Sequence, residues 1–298
     1  MTRSAPRLDR RALFASGAAA ALLAASGMSA MAAPRRGGRL RMALSGARRD
    51  DSFDARKPMG VFMQVAMLGA VFDTLTQVAA DGTLHGELAT GWHGSSDARV
   101  WVFDLRRDAR FHNEAVFTSQ DVIASLALHT DAALAGISDM RALGRHRVEV
   151  TLSQGNADFP YTLSAPQFVI YPEAGMADAM AEGIGTGLYR VDRFHPGQQF
   201  LGSRVAQHYK DGQAGWFDTV ELVSVPAAHV RAEALRDHYV DVADLDDPGE
   251  LLGQPDITLL PNAHAMTQAA WRTVALPATI GSRWPLDNLR AAERWWMA

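Results

Sequence analysis

Residues 88–126, LATGWHGSSDARVWVFDLRRDARFHNEAVFTSQDVIASL, constrain the fold of this chain more than any other stretch. They prescribe a strand, a tight turn, a second strand, another turn and a capped helix in fixed succession. Trp101, Phe103 and Leu105 alternate with Val102, Asp104 and Arg106, the period of a half-buried strand. Asn113-Glu114 supplies turn chemistry. Thr118-Ser119-Gln120-Asp121 is a capping box just ahead of Val122, Ile123 and Leu126, which predicts a helix start there.

The amino terminus predicts export. Arg3, Arg7, Arg10 and Arg11 form a basic leader before a soft apolar stretch, Ala12 to Ala25, and Ala30-Met31-Ala32 has the small-x-small form of a cleavage site. Arg10-Arg11-Ala12-Leu13-Phe14 reads as a twin-arginine signal, whose apolar region is alanine-rich and weakly hydrophobic. The competing reading is a permanent anchor, but the stretch is shorter than the roughly 20 residues needed to span a bilayer. The expected product is cleaved after Ala32 and soluble in the periplasm.

Charge and cysteine usage narrow the function. The leader carries four arginines and Asp9, so the formal net charge of −4 falls to −7 without it. A mildly acidic chain has no electrostatic basis for gripping nucleic acid or an anionic membrane. The chain has no cysteine, which excludes disulfides and thiolate metal sites. It equally excludes a lipid-modified cysteine at the new amino terminus, so the product is expected to diffuse freely.

With 298 residues the chain can form two domains or one large one. Arg39 to Leu44 is a short strand candidate. Met59 to Leu75 is apolar with helical spacing, and Phe62, Met63, Ala66, Met67, Ala70 and Val71 share a face. Asp81-Gly82 comes after Thr76-Gln77-Val78 as a hairpin turn signal. His146 to Leu152 alternates as a strand, and Pro160, Pro166 and Pro172 interrupt the next stretch of chain. A glycine-rich turn, Gly183 to Gly187, leads into a strand at Tyr189-Arg190-Val191. Val220 to Val225 is an apolar strand, Pro226 sits as a first-turn proline, and the next helix carries Val230, Ala234 and Leu235. Val240 to Leu245 and Ile257 to Leu260 are further strands. Strands and helices intermix without regular βαβ spacing, which predicts an α/β or α+β fold with mixed sheets.

Other chemistries find little support. Ten histidines are scattered: His85 and His93 are eight apart in turn-rich sequence, and His229 and His238 nine apart across a helix. None forms the i, i+4 pair of a metalloprotease. Gly183-Ile184-Gly185-Thr186-Gly187 lacks the Gly-Lys-Ser/Thr ending of a phosphate loop and precedes a strand, not a helix. No serine lies in a nucleophile elbow. Asp246-Asp247 ahead of Pro248-Gly249 reads as a solvated turn, and Trp295-Trp296 as an apolar remnant or a partner contact. No cofactor and no catalysis are expected.

The block at 88–126, the motif GTGLYRVDRF at 185–194 and the run from Val220 to Asp244 together resemble the extracytoplasmic solute-binding proteins of family 5. These are the peptide-, nickel- and oligosaccharide-binding receptors of ABC importers. The resemblance runs from about Arg39 to the carboxyl end. Leu188 stands where the family has proline, and Asn113-Glu114 where it prefers aspartate-glycine. His238 occupies a glycine slot after a helix, a left-handed position that costs a non-glycine residue on the order of 1 kcal/mol.

The resemblance implies a periplasmic binding protein-like II fold in partial form. The first lobe is expected from 33–71 and 183–285, with 72–182 an inserted subdomain and 286–298 the start of the opposing lobe that family members carry. It implies capture of a peptide or other small molecule by hinge closure and delivery to ABC permease subunits, by a monomer. An isolated lobe should bind weakly, so a truncated receptor without transport activity, or an envelope protein-interaction module, is the alternative. The family topology points to Phe62, Met63 and Gln64, to Gln167 and Phe168, and to Trp271 as ligand-lining residues. For each, packing in a core is the competing role.

Overall fold

Leu40, Met42 and Leu44 of β1 (Arg39–Leu44) bury into one core while Ala43 buries into another, so this strand is covered on both faces and must lie centrally in a sheet. The computed structural model describes residues 36–271 apart from 79–82, 131, 248, 255 and 262–266. Arg10, Arg11, the position after Ala32, the turn Asp81-Gly82 and the segment 286–298 lie outside the described residues.

After β1 the chain loops to α1 (Val61–Gln64), which widens without a break into a π-helix over Val65–Val71. The wider turn shows in the Phe72 N–H donating to the Met67 carbonyl at 2.7 Å, five residues back. Phe62, Met63, Ala66, Met67, Ala70 and Val71 are all buried, the face read from the sequence, but Val65 and Leu68 are buried too. A helix apolar all round belongs inside a core.

The hairpin β2 (Thr76–Val78) and β3 (Leu84–Gly86) forms where the turn signal placed it. Next come β4 (Ala89–Gly94) and β5 (Val100–Leu105). In β5, Trp101, Phe103 and Leu105 point into the second core, as their alternation requires. Glu114 turns the chain at φ +68°, and α2 (Ser119–Ala127) starts at Thr118 with the capping box formed: the Thr118 N–H donates to Asp121 Oδ2 at 2.7 Å. β6 (Ile137–Ala142) and β7 (Arg147–Leu152) complete an antiparallel sheet of order β4-β5-β7-β6. Two short helices come next, α3 (Phe159–Thr162) and α4 (Met176–Glu182).

The chain then builds the larger sheet. β8 (Tyr189–His195), β9 (Gln199–Arg204) and β10 (Thr219–Ser224) form an antiparallel run, α5 spans Ala228–Arg236, and β11 (Val242–Leu245), β12 (Ile257–Pro261) and β13 (Thr267–Trp271) finish it. The order is β12-β13-β11-β1-β10-β9-β8, with β1 parallel to both β10 and β11. Mixed pairing within seven strands is the α/β arrangement with mixed sheets that the sequence predicts. Pro226 sits one residue before the N-cap Ala227, not in the first turn of α5. His238 adopts φ +62° after that helix, the left-handed cap expected of a glycine slot.

Candidate ligand-binding edge

The parallel strands β1, β10 and β11 all end on one side of the larger sheet, at Leu44, Ser224 and Leu245. Open α/β sheets bind ligands in the crevice outside such carboxyl ends, where loops diverge and backbone groups lie free. Here the edge is held by a buried ion pair. Arg231 on α5 and Asp244 on β11 are each 1% exposed. Arg231 Nε lies 3.2 Å from Asp244 Oδ1 and donates to the Asp244 carbonyl at 2.6 Å. Its Nη1 donates to the carbonyls of Val225 and Pro226 at 2.7 and 2.8 Å, just past the end of β10. Asp244 accepts in turn from the Ser45 N–H at 2.9 Å and from the Ser45 hydroxyl, just past the end of β1. One guanidinium and one carboxylate thus tie three strand ends together. Burial pushes the Asp244 carboxyl up from its ordinary value, while the Ser45 hydrogen bonds and the Arg231 charge act against that rise.

The edge continues into the loop between β1 and α1. Gly60 backs directly onto Gly46: a Cβ at Gly60 would fall 2.0 Å from the Gly46 carbonyl oxygen, so only glycine permits this approach. The Phe62 N–H donates to the Ser45 carbonyl at 3.3 Å, which seats the start of α1 against the end of β1. Tyr171 locks the middle of the loop, its hydroxyl donating to the Phe53 carbonyl at 2.6 Å and accepting from the Ala55 N–H at 2.9 Å.

The residues singled out from the sequence fall in different places. Phe62 and Met63 are buried in the core beneath the larger sheet. Gln64 is half-buried, and its amide donates to the Met59 carbonyl at 3.3 Å. Gln167 is half-buried on a 3₁₀ turn, Pro166–Phe168. Phe168 is buried in the other core, its ring edge-on to His129 at 5.2 Å. Trp271 ends β13, which runs antiparallel to β11 and therefore carries it to the amino end of the parallel strands, away from Ser45 and Gln64. No sequence signal marked Arg231 and Asp244 as a pair. Only the strand ending at Leu245 and the helix ahead of it were legible.

A second buried ionic group staples the two sheets. Lys210 Nζ donates to Asp73 Oδ1 at 3.0 Å and to Glu87, whose carboxylate also accepts from the Tyr209 hydroxyl. The Thr186 hydroxyl donates to Asp73 Oδ2 at 3.0 Å, and Arg106 Nε to the Glu87 carbonyl at 2.6 Å. A Cβ at Gly185 would lie 2.0 Å from the Val71 carbonyl, so the glycine-rich turn packs backbone to backbone on the end of the π-helix. Among the described residues no group of three or more His, Asp or Glu is placed to hold a metal ion. No helix there is long and apolar enough to cross a membrane.

Comparison with known proteins agrees with this fold. The family model for bacterial extracellular solute-binding proteins, family 5 middle, matches residues 83–290. A probable D,D-dipeptide-binding periplasmic protein of Escherichia coli K12 is 26% identical over 193 residues, covering 58% of this chain and 37% of the relative. A probable peptide ABC transporter periplasmic-binding protein of Sinorhizobium fredii is 26% identical over 275 residues, 85% of this chain and 50% of its own length. Among solved structures, the binding protein AgaA of A. tumefaciens R10, in complex with agropinic acid, superposes with a TM-score of 0.69 at 27% identity. The match covers 76% of this chain and 48% of AgaA. The chain thus spans half or less of the length of these relatives. The fold is the mixed α/β architecture of periplasmic binding proteins, present in part, and the chain belongs to the bacterial extracellular solute-binding proteins of family 5.

Proposed function

We propose that this chain is the solute-binding component of an ABC importer, capturing a peptide in the periplasm and presenting it to inner-membrane permease subunits. The observation that carries the reading is the convergence of the β1, β10 and β11 ends on the Ser45–Asp244–Arg231 lock. It gives a preorganised surface at the place where open α/β sheets bind. In this reading residues 33–71 and 183–285 build the first lobe, since β1 and β8 to β13 share one sheet, and 72–182 is the subdomain inserted between them. The leader with Arg10 and Arg11 directs export, and cleavage occurs after Ala32.

Ligand contact falls to the half-buried Gln64 and Gln167, whose amides can pair with peptide main chain. Phe62, Met63 and Phe168 back them from the two cores. Main-chain pairing gives affinity with broad sequence tolerance. Capture of this kind requires no nucleophile and no proton transfer.

The test is ligand-dependent stabilisation of the chain from Ala33 onward, with di- to pentapeptide mixtures, nickel–histidine complexes and opines as probes. Free ligand at about 100 times its Kd should add about 2.7 kcal/mol to the unfolding free energy. Gln64→Ala and Gln167→Ala should weaken the peptide response. A melting temperature unmoved by every probe would reject transport as the role of this chain.

A further inference from the structure

A cavity lies at the other end of the seven-stranded sheet. It has a volume of about 820 Å³. β9 runs antiparallel to β10 and pairs Ser203 with Thr219, while Tyr189 of β8 pairs with Arg204. Arg190 and Arg204 therefore stand at the amino end of the parallel strands, opposite the ligand edge. The remaining walls come from the turn around Arg110 to Glu114 and the loop after β9.

The two imidazoles that line the cavity are neutral and fully engaged. His112 Nε2 lies 2.9 Å from the Gly187 carbonyl, and its Nδ1 lies 3.4 Å from the Gly185 N–H. His208 Nε2 lies 2.8 Å from the Thr186 carbonyl, and its Nδ1 lies 3.1 Å from the Lys210 N–H. A nitrogen facing a carbonyl must donate and one facing an N–H must accept, so each ring carries its single proton on Nε2. Burial holds both below the usual histidine range, His208 at about 4. Neither ring offers charge or a free nitrogen to a ligand.

The charged walls differ. Arg204 is satisfied by Asp211 and by the carbonyls of Gly215 and Val205. Arg110 donates to the Glu114 carbonyl at 3.2 Å, but among the described residues neither Arg110 nor Arg190 forms an ion pair with a carboxylate. Glu114 itself stands at φ +68°. The left-handed region strains a side-chain-bearing residue where glycine would be at ease. Strain of this kind, kept at a cavity wall, points to a use for the side chain.

We propose that this cavity is a second binding site, for a small zwitterion such as a free amino acid. Arg110 and Arg190 hold its carboxylate and Glu114 holds its ammonium group. The mixed signs favour a zwitterion over a simple anion, which Glu114 would repel. The volume lies within the roughly 300–1,000 Å³ of small-molecule sites, and charge-assisted hydrogen bonds supply the orientation.

The experiment uses calorimetric titration and thermal melting of the chain from Ala33 onward. L-glutamine is the zwitterion, with acetate and methylammonium as single-charge probes. Glutamine should bind and raise the melting temperature, while acetate and methylammonium at equal concentration should not. Arg190→Gln, on an exposed edge position, should weaken glutamine binding at least tenfold. Glu114→Gly should melt higher than the parent without ligand yet lose its glutamine response, opposite signs that separate binding from folding. No glutamine binding, an equal response to acetate, or a response unchanged in both variants would each overturn the site. Variants at Gln64 and Gln167 should leave glutamine binding here intact, so failure of the peptide reading would not imitate failure of this one.

Discussion

At the carboxyl edge a guanidinium faces one carboxylate; at the seam between the sheets an ammonium faces two. Arg231 pairs with Asp244 and directs its other donors at the Val225 and Pro226 carbonyls, so charge and hydrogen bonds balance within the cluster. Lys210 instead gathers Asp73 and Glu87, from segments more than 120 residues away in sequence, with its own side chain 5% exposed. The planar fork of arginine suits a rigid junction of backbone ends, whereas the compact ammonium of lysine can bridge acids from separate elements. The edge is therefore a self-contained junction of strand ends. The seam is a staple whose hold depends on one cation.

The two clusters should differ most when Lys210 is lost. Lys210→Met should leave Asp73 and Glu87 facing each other without their cation, costing about 3–5 kcal/mol. Urea unfolding at neutral pH measures it, and a loss below about 1 kcal/mol would mean the staple carries little.

Acid should separate the two clusters next, beginning at the seam. His208 falls from an ordinary value of 6.5 to about 4 because it is buried. The folded state then binds fewer protons than the unfolded chain between those values, so stability is full above pH 6.5 and declines as the pH drops towards 4. The decline should reach roughly 3 kcal/mol at most. His208→Gln keeps a donor for the Thr186 carbonyl and should remove that slope; an unchanged slope would assign the acid response elsewhere.

Asp244 should respond in the opposite sense. Burial raises its pKa above the ordinary 3.8, so its contribution is complete below that value and is lost as the pH rises through the raised value. Asp244→Asn should abolish this decline. Its cost at neutral pH should be smaller than that of Lys210→Met, about 1–3 kcal/mol, because Arg231 keeps its three carbonyl partners. Denaturant midpoints of parent and variant across pH 3 to 7 measure both effects. Parallel curves would show that Asp244 does not titrate in this way.

Local chemistry was legible wherever a single element decided it. The alternation in β5, the capping box of α2 and the strands β7, β8 and β10 all arise from neighbours within a few residues, while the left-handed His238 was expected from the family pattern. The orientation of α5 was not legible in the sequence. The sequence places Val230, Ala234 and Leu235 on this helix but does not say which face is covered: Val230 is 40% exposed while Arg231, Ala232 and Leu235 are buried. The helix is rotated so that Arg231 reaches the strand ends, a requirement set by three other segments. β6 and β9 went unread because Ser138, Asp139, Gln199 and Gly202 break the apolar pattern, and their pairing comes from the strands beside them.

The sequence by itself determined most of the elements, several turns and the family pattern, since period and caps are written in residues close together along the chain. Only the tertiary structure decided that three parallel strands end together, that Arg231 meets Asp244 and that Lys210 meets two distant acids. Burial makes those charges costly unless they find one another, and which partner arrives depends on strand order, not on spacing in sequence.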